Sequence, residues 1–158
     1  MKTVRKAVFA FMSIILACAM IGCALGERYI VHQSNGTVLD KKTNLMWAAK
    51  DNGSDISWKD AKSYCENFSA GAYRDWRMPT PDELAGLYDA NKTRKAPCAS
   101  NFEIHGATEL IGITCLAVWS SETKGNDAVQ FNYDYGNSSP YLQSHTYATR
   151  ALPVRSNK

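Results

Sequence analysis

The stretch DWRMPTPDEL, Asp75 to Leu84, holds a complete helix-start device directly behind an aromatic-basic strand. Thr80 suits the N-cap position, because its hydroxyl can accept from the unpaired amides of a helix's first turn. Pro81 suits the first helical position, where its missing N–H would find no partner anyway. Glu83, three residues after Thr80, can reach back to the cap amide and close a capping box. The segment therefore predicts a strand-to-helix junction and a helix from Pro81 to about Ala90, with Leu84, Leu87 and Tyr88 on its inner side.

Upstream, Arg28 to Gln33 reads as a first strand and Ser34 to Gly36 as a turn. Thr37 to Asp40 and Leu45 to Ala49 then form a hairpin across the polar connection Lys41 to Asn44. Ser57 caps a helix running to about Phe68, and Trp58, Ala61, Cys65 and Phe68 recur at helical spacing as its buried stripe. Downstream, Asn91 to Ser100 is rich in breakers and reads as a loop, Thr108 to Ile111 as one helical turn, and Leu116 to Ser120 as a strand. Val129, Phe131, Tyr133 and Tyr135 alternate with polar residues, the period of a half-buried strand. Gly136 to Pro140 should turn the chain, and Tyr147 to Arg155 should return it as a last strand. These elements describe an α+β domain, two helices packed on a mainly antiparallel sheet with a long irregular loop region.

A chain of 158 residues with 45% hydrophobic content makes one domain with a proper core. Its formal charge of +3 comes entirely from Lys2, Arg5 and Lys6, since the remaining bases only match the 15 acids. The body is neutral, which removes the case for nucleic acid. Those three bases open a leader. Ala7 to Gly22 follows as an apolar run interrupted only by Ser13, shorter than the roughly 20 residues of a spanning helix. Its end, Met20 to Cys23, resembles a bacterial lipobox, in which the cysteine receives a lipid before cleavage. Residues 1–22 are accordingly expected to be a lipoprotein signal peptide, 23–28 a short tether and 29–158 the domain. Cys23 is the expected lipidated residue, with Cys18 as the alternative. By resemblance to bacterial sorting rules, Ala24 or Ala19 after that cysteine favours the outer membrane, with the inner membrane or secretion as alternatives.

Export permits disulfides. Cys65, Cys98 and Cys115 allow three pairings, of which Cys98 with Cys115 is favoured because the two flank a loop-rich excursion and Cys65 sits in a helix. Closing that loop is worth about 3 kcal/mol in the chain-entropy model. A metal site on Cys98, His105 and Cys115 is disfavoured, as no C-x-x-C pair and no fourth ligand accompany them.

Taken with DWRMPTPDEL, the segments TVLDKKTNLMW (Thr37 to Trp47), SWKDAKSYC (Ser57 to Cys65), VWSSE (Val118 to Glu122) and ALPVR (Ala151 to Arg155) resemble the C-terminal domain family of the Lcl adhesin, over about Tyr29 to Arg155. The resemblance implies a C-type-lectin-like fold. It also implies an adhesin-like role, since the family's namesake binds sulfated glycosaminoglycans and carries a collagen-like stalk. The present sequence contains no Gly-x-y run. DWRMPTPDEL is also similar to formylglycine-generating enzymes, which work with a cysteine pair late in the chain. Here no cysteine follows Cys115, so that similarity points to fold and not to chemistry.

No catalytic constellation is visible. His32, His105 and His145 are scattered, and no G-x-S-x-G or H-E-x-x-H occurs. Ser120 and Ser121 read as strand-end hydroxyls, and Glu122, Asp127 and Asp134 are carboxylates without a distinguishing context. The expectation is no enzyme, no cofactor and no metal. A binding module is expected instead, recognising polysaccharide or glycosaminoglycan, with a structural or protein-interaction lipoprotein of the envelope as the alternative. The candidate ligand-binding residues are the cationic group Lys92, Arg94 and Lys95 and the aromatic group Tyr133, Tyr135 and Tyr141, supported by Tyr147, Asn132 and Asn137.

Overall fold

A computed structural model describes residues 27–158. Cys18, Cys23 and the rest of the leader lie outside the described residues.

The capping box forms as its residues dictate. Thr80 Oγ1 accepts from the Glu83 amide at 3.2 Å, and the Glu83 carboxylate accepts from the Thr80 amide at 2.8 Å. Helix α2 is nevertheless short, Pro81–Ala85, capped by Gly86. Tyr88 already belongs to a strand, so the expected continuation to Ala90 is replaced. Helix α1, Trp58–Glu66, starts at Ser57 and ends slightly earlier than expected. Its stripe holds, with Ala61 and Cys65 fully buried and Trp58 and Phe68 packed at the margin.

The strands are β1 (Tyr29–His32), β2 (Thr37–Asp40), β3 (Leu45–Ala48), β4 (Tyr88–Ala96), β5 (Ala99–Gly106), β6 (Ala117–Lys124), β7 (Asp127–Asn132), β8 (Asn137–Leu142), β9 (Thr149–Arg150) and β10 (Val154–Ser156). They form a four-stranded sheet β1-β2-β3-β10, a ribbon β4-β5, and a four-stranded sheet β8-β7-β6-β9. Every pairing is antiparallel except β6 with β9. The described residues are thus mostly sheet with two short α-helices.

Five expectations are corrected. Asn91 to Ser100 lies in the β4-β5 ribbon, where the polar and mostly exposed run Asn91 to Lys95 carries no hydrophobic alternation to announce a strand. Thr108 to Ile111 is a bend and not a helical turn. The segment before α2 makes a single bridge, Arg77 to Val154, where a strand was expected. β8 occupies the expected turn from Gly136 to Pro140, and the chain reverses one step earlier, through Tyr133–Gly136. Pro140 is accommodated because β8 is an edge strand. Finally, the expected last strand divides at Pro153, so that β9 joins the β6 sheet and β10 closes on β3.

The main core gathers Trp47, Leu84, Ile104, Ile113, Val118, Tyr133 and Leu152 between these layers. A smaller cluster under α1 holds Cys65, Met78 and Trp119. The Cys98–Cys115 disulfide ties the turn of the β4-β5 ribbon to the segment entering β6, and Cys65 remains a buried thiol. Burial pushes that thiol's pKa up to about 12, so it behaves as a small apolar residue.

Candidate functional site

The reversal between β7 and β8 decides which tyrosines can meet a ligand. Tyr133, at its start, is fully buried and donates its hydroxyl to the Leu84 carbonyl at 2.9 Å. Burial raises its pKa well above the ordinary phenol value. It is a core residue, and the candidate ligand-binding role for Tyr133 is withdrawn on that ground. Tyr135, two residues on, is 72% exposed. Gly136 follows at φ 71°, and a Cβ there would sit 2.4 Å from the Tyr88 ring, so only glycine lets the turn lie against β4.

Tyr135 shares a groove of about 250 Å³ with Tyr141 on β8 and Tyr147 before β9. Tyr141 is 37% and Tyr147 69% exposed. Phe102 and Leu116 supply apolar lining, and Gln130, Asn132, Asp134 and His145 supply polar groups. His145 packs on Tyr141 with ring centroids 4.9 Å apart, and its Nε2 lies 3.0 Å from the Tyr147 carbonyl. Because a carbonyl only accepts, Nε2 carries the proton, and His145 fixes the tyrosines on either side of it. Gln130 accepts from Thr149 Oγ1 at 2.8 Å, which holds the groove's inner edge. The arrangement presents flat aromatic surface beside amide and carboxylate groups, chemistry suited to gripping a polar molecule that has one apolar face.

The cationic group is dispersed. Lys95 pairs with Glu103 at 2.9 Å on the exposed ribbon. Lys92 donates to the Ala107 carbonyl and Arg94 to the Ile113 carbonyl. Those two line a separate cleft that also contains Asp89 and Glu109, so they present no uniform positive surface.

Ser120 is buried with its hydroxyl donated to the Val129 carbonyl, a structural role. Of the three carboxylates weighed for hydrolysis, Asp134 lines the tyrosine groove. Cys98 and Cys115 are consumed by their disulfide, and among the described residues no group of three or more His, Cys, Asp or Glu side chains is placed to hold a metal ion. Sequence reasoning missed His145, Phe102 and Leu116 as groove residues, since nothing in their local pattern links them to Tyr135.

A mostly-sheet domain with two short helices, one disulfide and an open tyrosine groove defines a small α+β module. The chain belongs to the Lcl C-terminal domain family, whose model matches residues 36–155. No curated protein matches it.

Proposed function

We propose that this is a non-catalytic carbohydrate-binding domain of an exported, lipid-anchored envelope protein, and that its ligand is a polysaccharide stacked on Tyr135, Tyr141 and Tyr147. The observation that carries this reading is the exposure of those three rings along one groove. Large apolar faces left in water at one place mark a contact surface. A sugar ring has an apolar face to cover them and hydroxyls for Asn132, Asp134 and Gln130, so the mixed lining matches a glycan better than a purely apolar ligand. Family membership supports the reading, because the namesake is an adhesin and the family is grouped with C-type-lectin-like folds. The tether adds a constraint. Cys23 to Arg28 is five residue steps, and at about 3.5 Å per residue a lipid on Cys23 would hold the domain within about 20 Å of the bilayer.

The test is binding of the soluble Cys23→Ser protein to immobilised neutral and acidic polysaccharides. Tyr135→Ala and Tyr147→Ala are each expected to weaken binding about tenfold, the loss of roughly 1.4 kcal/mol of stacking. Absence of glycan binding, with capture of a single envelope protein instead, sinks the carbohydrate reading.

A further inference from the structure

Away from the tyrosines, a cleft of about 630 Å³ opens between the first residues of β1, strand β4 and the bend after β5. Its charged lining has an unusual balance. Lys92 and Arg94 supply two positive charges and Asp89 and Glu109 two negative ones. Among the described residues none of the four takes part in a salt bridge. Lys92 and Arg94 are steered by the carbonyls of Ala107 and Ile113, at 2.8 and 3.0 Å, and not by carboxylates. Arg28 also lines the cleft, but its charge is matched by Asp40. Opposite charges in one cleft attract, and here the backbone anchors keep them from closing on each other. The wall also holds residues with unfinished hydrogen bonding: Tyr29 Oη and Arg94 Nε are buried without a partner among the described residues. Leaving such atoms unpaired costs free energy unless something else satisfies them.

We propose that this cleft binds a small zwitterion, a molecule carrying a primary ammonium and a carboxylate or phosphate a few bonds apart. Asp89 and Glu109 take the ammonium, and Lys92 and Arg94 take the anion. A polyanion gains from the two bases but is repelled by the two acids, and a simple cation meets the reverse. Only a dipolar ligand gains from both walls, which makes the balance a device for selectivity. The volume lies within the usual range for small-molecule sites. Two sources offer this chemistry, an amino acid or short peptide and an ethanolamine phosphate headgroup.

Calorimetry on the Cys23→Ser protein, with dialanine and phosphoethanolamine as zwitterions and acetate, inorganic phosphate and ethanolamine as single-charge controls, tests the proposal. The zwitterions are expected to bind at least about tenfold more tightly than any control. The double variant Asp89→Asn, Glu109→Gln, the first half-buried and the second exposed, is expected to remove that advantage, and Lys92→Met to weaken the zwitterions. Preference for dialanine assigns a peptide-like ligand, and preference for phosphoethanolamine assigns a headgroup; either supports the site. Controls that bind as tightly as zwitterions, no binding at millimolar concentration, or double-variant affinities equal to the parent's overturn it. Polysaccharide binding at the tyrosine groove is a separate readout, so either reading can fail alone.

Discussion

The hydroxyl of Tyr133 reaches the Leu84 carbonyl at the end of α2 and adds a second donor to an acceptor that the Leu87 amide already engages at 3.0 Å. Tyr133→Phe removes that one hydrogen bond and is expected to cost about 1 kcal/mol in urea unfolding, whereas Tyr135→Phe, at an exposed ring, should leave the midpoint unchanged. The sequence does not distinguish these two tyrosines, because the alternation that contains them assigns both to one face of one strand. Gly136 breaks that assignment through a contact with Tyr88, 48 positions away, that no local pattern encodes. Asp40 offers a second residue-level test. Burial alone would raise its pKa, but hydrogen bonds from Arg28 at 2.8 and 2.6 Å and from the Lys42 amide outweigh that and hold the carboxyl below its ordinary value. A lowered folded-state pKa contributes stability that is present above the unfolded pKa, near 3.9, and is lost as pH falls through the folded value. Asp40→Asn should accordingly be less stable at neutral pH and lose less on acidification to about pH 3, as denaturant midpoints at the two pH values will report.

At the scale of elements, the β4-β5 ribbon depends most on a covalent tie. A two-stranded ribbon is marginal by itself, and much of this one is exposed. The Cys98–Cys115 disulfide, spanning 17 positions, limits the freedom its turn would regain on unfolding. The double variant Cys98→Ser, Cys115→Ser should lose about 3 kcal/mol in the chain-entropy model. Hydrogen exchange should localise the loosening, with amides of β4 and β5 losing protection before those of β6 and β7. The pairing of the cysteines was legible because they flank an excursion, but the excursion's structure was not. Asn91 to Arg94 are polar residues on a ribbon with little buried surface, so the periodic signal that announces a strand is absent. The capping box of α2 was legible for the opposite reason, since all its partners lie within four residues.

For the whole molecule, the decisive connection is made by the last residues. After β9 has paired with β6, the chain passes through buried Ala151 and Leu152 and Pro153 before β10 closes on β3, so one short segment joins the two four-stranded sheets. Val154 also exchanges backbone hydrogen bonds with Arg77 at 2.9 and 3.0 Å, which anchors the DWRMPTPDEL junction to the C-terminal strand. Next to it, Arg155 donates to Asp75 and its guanidinium lies 3.8 Å from the Tyr73 ring centroid. The aromatic-basic residues ahead of the helix therefore serve as a docking surface for a strand nearly eighty positions later, and among the described residues the expected local strand bridges to no strand but this one. Removing Val154–Lys158 would uncover an edge of β3, empty a core position and leave Arg77 backbone groups unpaired. Such a truncation is expected to abolish cooperative unfolding in circular dichroism and to collapse the dispersion of amide resonances. Deleting Lys158 alone leaves β10 in place and should shift the melting temperature little. Retention of a cooperative transition by the longer truncation would show that the two sheets hold together without the strand that joins them.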